Sequence, residues 1–422
     1  MANHHFEINE AIESIKDEII SFIQTLVQSP SLANDEGHVQ NIIFEKLNQL
    51  GLTTKKVPVH FDAIQDHPAF CDDGFSPDAR TNVVGNWNNG KGRSLILNGH
   101  VDVVPTGAVA LWDESPWSGS VKDGRIYGRG SCDMKAGLAS GIFAIQILQE
   151  IGFKPNGNVM VQSVVGEESG GCGTLINIVK GYRGDGAVIL EPTSLKMSPI
   201  QSGALTFRLT ISGRATHAAM RWDGVSAIEK FNLIHQSILD LEKHRHQSFE
   251  VQYYESPDRV APINIGTIKG GEWHSTVPES VIVEGRFGVF PGETAQDARD
   301  AFESHIQNIS NKDTWLKNNP PVIEWFEGQF ESSQTPLDHP LIQTLTDSFV
   351  QTVGEAPILE GVTYGSDLRL FTNHAQIPAV LFGPGDVRLA HAANEFVEIE
   401  EVLTCINIMA NMIINWCGGS IE

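Results

Sequence analysis

Cysteine is scarce in this 422-residue chain and poorly spaced for cross-linking. Cys71, Cys132, Cys172, Cys405 and Cys417 make an odd number with no C-x-x-C pair. That excludes a disulfide framework and predicts a reducing compartment. Basic residues are also in short supply, 29 Lys and Arg against 52 Asp and Glu, for a net charge of −23. Such a field repels a polyanionic backbone, so nucleic acid is excluded as a partner, while divalent cations are favoured. No apolar run approaches 18 residues, which argues against a membrane span. The opening stretch MANHHFEINEAIESIKDEI lacks the basic leader and apolar core of a signal peptide, and a cytoplasmic protein is expected. No G-x-S-x-G occurs, which removes the nucleophile elbow of a serine hydrolase. GNWNNGKG (85–92) imitates a phosphate loop through Lys91 but has Gly92 where Ser or Thr should hold magnesium. The GCG at 171–173 lacks the third glycine of a dinucleotide fingerprint, and nothing near Cys132 in the sequence activates it as a nucleophile.

What is present is an ordinary globular composition, 41% hydrophobic and 19% charged, in a chain too long for one core. INEAIESIKDEIISFIQTLVQ has helical spacing and predicts one amphipathic helix. HVQNIIFEKLNQL predicts a second, stopped by Gly51. RSLILNGHVDVVP, NVMVQSVVGEE and GAVILEPT predict buried strands, alternating with the helices DMKAGLASGIFAIQILQEIG and TLINIVKGY. This alternation predicts an α/β domain with a largely parallel sheet and helices on both faces. After Pro199 the order becomes strand, helix, strand, strand, helix, as expected of an α+β insert with an antiparallel sheet. From about Gln329 helix and strand alternate again. The expected organisation is a discontinuous domain, 1–200 and 329–422, interrupted by a second domain over 201–328.

The acidic doublet in VQSVVGEESGG poses the functional question. Acidic pairs are common in a chain of this composition, so Glu167 and Glu168 mean little alone. Other groups point to the same place. His100 sits near the end of one strand, two residues from Asp102 and so on the same face, and that carboxylate is suited to orienting an imidazole. Glu191 ends the strand of VILEPT. Asp133 follows the glycine-rich turn of GRIYGRGSCDMKAG, where capping of the next helix is the alternative. His391 precedes the last helix. In open parallel sheets, ligands gather at the carboxyl ends of strands. Oxygen and nitrogen donors of this kind suit a pair of divalent ions such as zinc. One carboxylate of the doublet would coordinate while its neighbour, on the opposite side of an extended strand, acts as general base.

The stretches LNGHVDVVP, WSGSVKDGRIYGRGSCDMKAG, VVGEESGG, LEPT, SGRATHAAM and LAHAANEFV span most of the chain. In them the sequence resembles the zinc-dependent family of acetylornithine deacetylase, succinyl-diaminopimelate desuccinylase, aminoacylase and glutamate-releasing carboxypeptidase. The resemblance implies two zinc ions, with cobalt or manganese as substitutes. His100, Asp133 and Glu191 would hold one; Asp133, Glu168 and His391 would hold the other. It implies Glu167 as general base, Asp102 as the carboxylate orienting His100, and the insert as a lid and dimerisation domain. His217 would reach the active site of the second copy in a homodimer and polarise the scissile carbonyl. Asn264, Arg286 and Arg369 match substrate-contacting positions. Arg221-Trp222-Asp223 departs from the family, where a proline is usual before Gly224. The implied reaction is hydrolysis of an amide, releasing an acetyl, formyl or succinyl group from a small N-acylated substrate. A dipeptidase or carboxypeptidase, or a non-catalytic binding protein on this fold, are the alternatives.

Overall fold

The computed structural model describes residues 5–78, 80–87, 90–250 and 252–421. Asn88 and Asn89 of the phosphate-loop look-alike lie outside the described residues. The chain divides into two compact units, one formed by 1–199, 334–360 and 367–422 and the other by 200–333 and 361–366.

The first unit is built on a six-stranded sheet. Its order is Thr53–Pro58, Thr81–Trp87, Gly157–Val164, Gly92–His100, Gly186–Ile189 and Ala379–Leu381. The last four run parallel, while Thr81–Trp87 is antiparallel to both of its neighbours. Strand Gly92–His100 is central and reads as a continuous apolar run because both faces are covered. Leu97 meets helix Ala136–Glu150 at Gly141, and Gly99 faces Leu138 of the same helix. On the opposite face, Asn98 donates to Thr174 of helix Cys172–Val179 (3.1 Å). Helices therefore lie on both faces, as expected. The long terminal helix Ile399–Cys417 is buried along most of its length and packs on both Ala136–Glu150 and Pro340–Val353.

The second unit has a four-stranded antiparallel sheet in the order Ile263–Gly270, Ser280–Val289, Gly203–Ser212, Val322–Phe330. Strand Gly203–Ser212 alternates strictly over its second half, burying Leu205, Phe207, Leu209 and Ile211. These pack with Phe231, Ile234 and Phe302 from helices Ala227–Ser248 and Ala295–Ser310. Both helices begin at a hydroxyl cap: Ser226 accepts from the Glu229 N–H, and Thr294 from that of Asp297.

Four local expectations are corrected. The first amphipathic stretch is two helices, His5–Ser14 and Lys16–Val27, because Ile15 leaves the helical region (φ −117°, ψ 15°). Strand Val322–Phe330 was not read from the sequence, and it crosses the boundary expected at 328/329. Its alternation is weak, since most of its residues are only half-buried. Segment 361–366 groups with the second unit, which no compositional shift announces. Finally, strand Gly157–Val164 ends before the acidic doublet, and strand Gly92–His100 ends before Asp102.

Candidate active site

Three adjacent parallel strands end together. In register, His100 lies opposite Val164 and Asn98 opposite Ile189. Glu167 and Glu191 therefore leave the same edge only a few residues beyond their strands. Glu167 and Glu168 sit in a turn over 167–170 rather than in extended chain, so strand alternation does not divide their roles. The glycines are explained by that turn. Gly166 (φ 73°) and Gly171 (φ 80°) both occupy the left-handed region. The Gly171 N–H closes the loop on the Gly166 carbonyl at 2.7 Å. A Cβ on Gly171 would stand 2.4 Å from Asp367 Oδ1.

Buried side chains pin the turn from several directions. Asp102 accepts the N–H groups of Glu167 (3.4 Å) and Glu168 (3.1 Å) with its two carboxylate oxygens. Asp73 accepts from Ser169 Oγ (3.1 Å) and pairs with the buried Arg80. Arg369, 1% exposed, donates to the Gly170 carbonyl at 2.9 Å. There it supports the glutamate turn; the sequence expectation for it is a substrate contact. The orientation of His100 also differs in detail. Its Nδ1 meets the main-chain carbonyl of Asp102 at 2.9 Å, whereas the Asp102 carboxylate lies 3.7 Å away. Holding Nδ1–H on an acceptor turns Nε2 toward the cluster.

Around that nitrogen the carboxylates converge. His100 Nε2 is 3.1 Å from Asp133 Oδ1, 3.9 Å from Glu191 and 4.0 Å from Glu167. The other oxygen of Asp133 faces His391 Nε2 at 3.5 Å, and Glu168 lies 3.1 Å from the same nitrogen. Asp133 does not cap the following helix: residue 135 holds the cap position, and no side chain caps there. His391 stands in a loop with φ 61° and remains half exposed.

The electrostatics are those of an anionic cluster. Burial, reinforced by the charge of Glu191, holds the Glu167 carboxyl well above the usual carboxylate range. Burial and Asp133 do the same for Glu191 and, less strongly, for Glu168. Burial also lifts Asp367 to about 6. Asp133 goes the other way: bonds to His100 and His391 outweigh its burial and lower it. Those bonds have reciprocal effects. His391 is pushed up to about 10 by Asp133 and Glu168. His100 is raised against the penalty of its own burial. So many carboxylates in so small a volume need more positive charge than two imidazoles provide. The donor set suits divalent cations. Donor atoms of His100, Asp133 and Glu168 lie within 4.8 Å of one another, as do those of His100, Glu167 and Glu191. These groupings share His100 and differ from the two expected ligand sets.

The remaining expected residues belong to the second unit. His217 is exposed, and its Nδ1 accepts the Ala219 N–H at 3.1 Å. A neutral ring held this way carries its proton on Nε2 and presents a donor. Asn264 and Arg286 are directly paired on adjacent strands. Asn264 is exposed, while the half-buried Arg286 donates to the Thr363 carbonyl at 2.7 Å. Sequence reasoning missed Arg80, Asp73, Asp367 and Glu395. Of these, only Glu395 lay inside a quoted motif, where His391 drew the attention; Asp367 stands two residues before Arg369.

Comparison with known proteins identifies the family. Residues 96–415 match the family model described as peptidase family M20/M25/M40. A Bacillus subtilis protein named N-formyl-4-amino-5-aminomethyl-2-methylpyrimidine deformylase is 30% identical over 99% of each chain. A probable succinyl-diaminopimelate desuccinylase of Staphylococcus aureus is 28% identical over 80% of this chain and 86% of its own. Among solved structures, the di-peptidase Dug1p of Saccharomyces cerevisiae superposes over the whole of both chains with a TM-score of 0.76 at 15% identity, a likeness of fold alone. The chain belongs to peptidase family M20/M25/M40.

Proposed function

We propose that the protein is a dinuclear metal-dependent hydrolase that removes a small acyl group, formyl first, from the amino group of a small molecule. One observation carries the reading. The two oxygens of a single carboxylate, the partly buried Asp133, face two imidazoles, His100 at 3.1 Å and His391 at 3.5 Å. That is the placement a carboxylate needs in order to bridge two cations. His100, Asp133 and Glu191 would hold one ion, and Asp133, Glu168 and His391 the other. Mixed imidazole and carboxylate donors favour zinc, with cobalt or manganese able to substitute. When bound, such a pair supplies Lewis-acid polarisation and a water that ionises near neutral pH.

The chain's own residues do the rest. Glu167 accepts a proton from the attacking water as its oxygen adds to the amide carbon. The same carboxyl returns the proton to the nitrogen as the C–N bond breaks, so the products are the free amine and the acid. The Glu167 carboxylate stands 4.0 Å from His100 Nε2, beside the ligands, where it can serve both steps. Asp102 ties His100 to the glutamate turn and so fixes the base against the ligands. His217, with its Nε2–H outward, stabilises the oxyanion in the site of a second copy. Trp222 (84% exposed) and Met220, three residues from His217 in the chain, supply apolar surface for that homodimer. Asn264 and Arg286 bind the polar end of the substrate.

The formyl choice rests on the relative that matches over 99% of each chain. The test is a panel of N-formyl, N-acetyl and N-succinyl amines with dipeptides alongside, including an N-formyl aminomethyl pyrimidine. Formate release should exceed every other arm by kcat/KM. Faster cleavage of dipeptides would replace this reading with a peptidase. A protein that binds these compounds without turnover would be a binding protein.

A further inference from the structure

We infer that Arg129 and Glu395 form a positioning pair that sets Asp133 and His391 at their working separation. The inference rests on the reading of those two residues as metal ligands. Glu395 Oε1 accepts the N–H groups of both Cys132 (2.9 Å) and Asp133 (3.1 Å). Its other oxygen takes Nη1 of Arg129. The same guanidinium donates to the carbonyl of Ala392 (3.2 Å), the residue after His391, and to that of Pro105 (3.3 Å), three residues beyond Asp102. Both side chains are buried, at 1–2% exposure. One ion pair therefore joins the three segments that bring His100, Asp133 and His391 together.

Burial of such a pair is a poor way to gain stability, because desolvation offsets the attraction. What it supplies here is geometry. Cys132 and Asp133 precede helix Ala136–Glu150, and their N–H groups point at a buried acceptor that an apolar residue could not replace. A planar guanidinium fixes that acceptor while holding the carbonyl beside His391. With its backbone set, Asp133 directs one oxygen at each histidine.

The test uses full-length protein stripped of metal, with zinc ions as the probe and a chromophoric chelator as competitor. Glu395→Gln keeps the shape but turns an amide NH₂ toward Arg129, and Arg129→Lys keeps the charge but loses the fork. Each should weaken zinc binding by about 10–100-fold and lower kcat at saturating zinc with little change in KM. The double variant Arg129→Met/Glu395→Leu should regain thermal stability over Arg129→Met alone without regaining zinc affinity. Zinc affinity within twofold of wild type in folded Glu395→Gln overturns the inference, as does its recovery in the double variant. If Glu395→Gln does not fold, Arg129→Lys gives the same reading; failure of both to fold marks a purely structural pair and also overturns it. Wild-type protein that binds no zinc would instead refute the reading of the site.

Discussion

The second unit buries Leu205, Phe207, Ile234, Phe287 and Phe302, while the carboxyl edge of the first unit's sheet buries His100, Asp102, Glu167, Glu191 and Asp367. In the second unit the residues with chemical potential, His217 and Asn264, are exposed and lie outside the core. In the first unit they form part of the interior. An apolar interior gains from leaving water at roughly 25 cal/mol per Å². An anionic interior loses, and the raised carboxyls of Glu167 and Glu191 record that cost. The contrast teaches that the acidic edge calls for cations, whereas the second unit's core makes no such demand and its expected functional residues lie on the surface.

Metal removal should separate the two regions most sharply. Chelation is expected to abolish turnover, and zinc at a thousand times its Kd should return about 4 kcal/mol of stability. Hydrogen exchange should show that protection at the strand ends near His100, Val164 and Ile189, with no change in Gly203–Ser212. Equal protection in both units would break the comparison. Next in size is Glu167→Gln, which should lower kcat by about 10²–10⁴-fold while two metals stay bound. Near-normal turnover with full metal would remove Glu167 as the base.

His217→Ala should lower kcat by about 10²–10³-fold with metal content intact, because the residue belongs to the unit without metal ligands. Mixing this variant with Glu167→Gln after subunit exchange should restore some activity, since each hybrid dimer holds one site with both groups. Proven hybrids without recovery would rule out donation in trans. The smallest effect sharpens the comparison from the other side. Arg208 and Glu284 pair at 2.7 Å on the second unit's sheet, both about a third exposed. Arg208→Ala should leave both stability and turnover nearly unchanged, as measured by denaturant unfolding and amide hydrolysis, because solvent screens an exposed pair.

Much of this was legible in the chain. Apolar runs such as LILNG gave the parallel strands, and strand ends marked where His100, Glu167 and Glu191 would gather. Helical and strand periods report burial against a layer, and the second unit's alternating strands were found the same way. What escaped was set by turns and long-range contacts. The doublet's placement in a turn depends on positive φ at Gly166 and Gly171, which an apolar strand pattern running into Glu-Glu does not reveal. Arg369 resembled a substrate contact, and its bond to the carbonyl of Gly170, 199 residues earlier, has no local signature. The partners of Glu395 lie more than 260 residues away, so no local pattern announces it.

The most direct test counts metal in purified, zinc-loaded protein and two variants. Wild type should hold two zinc ions per chain, His391→Ala about one, and Asp133→Ala neither tightly, because its carboxylate serves both positions. Two tightly bound ions in the Asp133→Ala protein would contradict the bridge, and with it the dinuclear reading of the buried acidic edge.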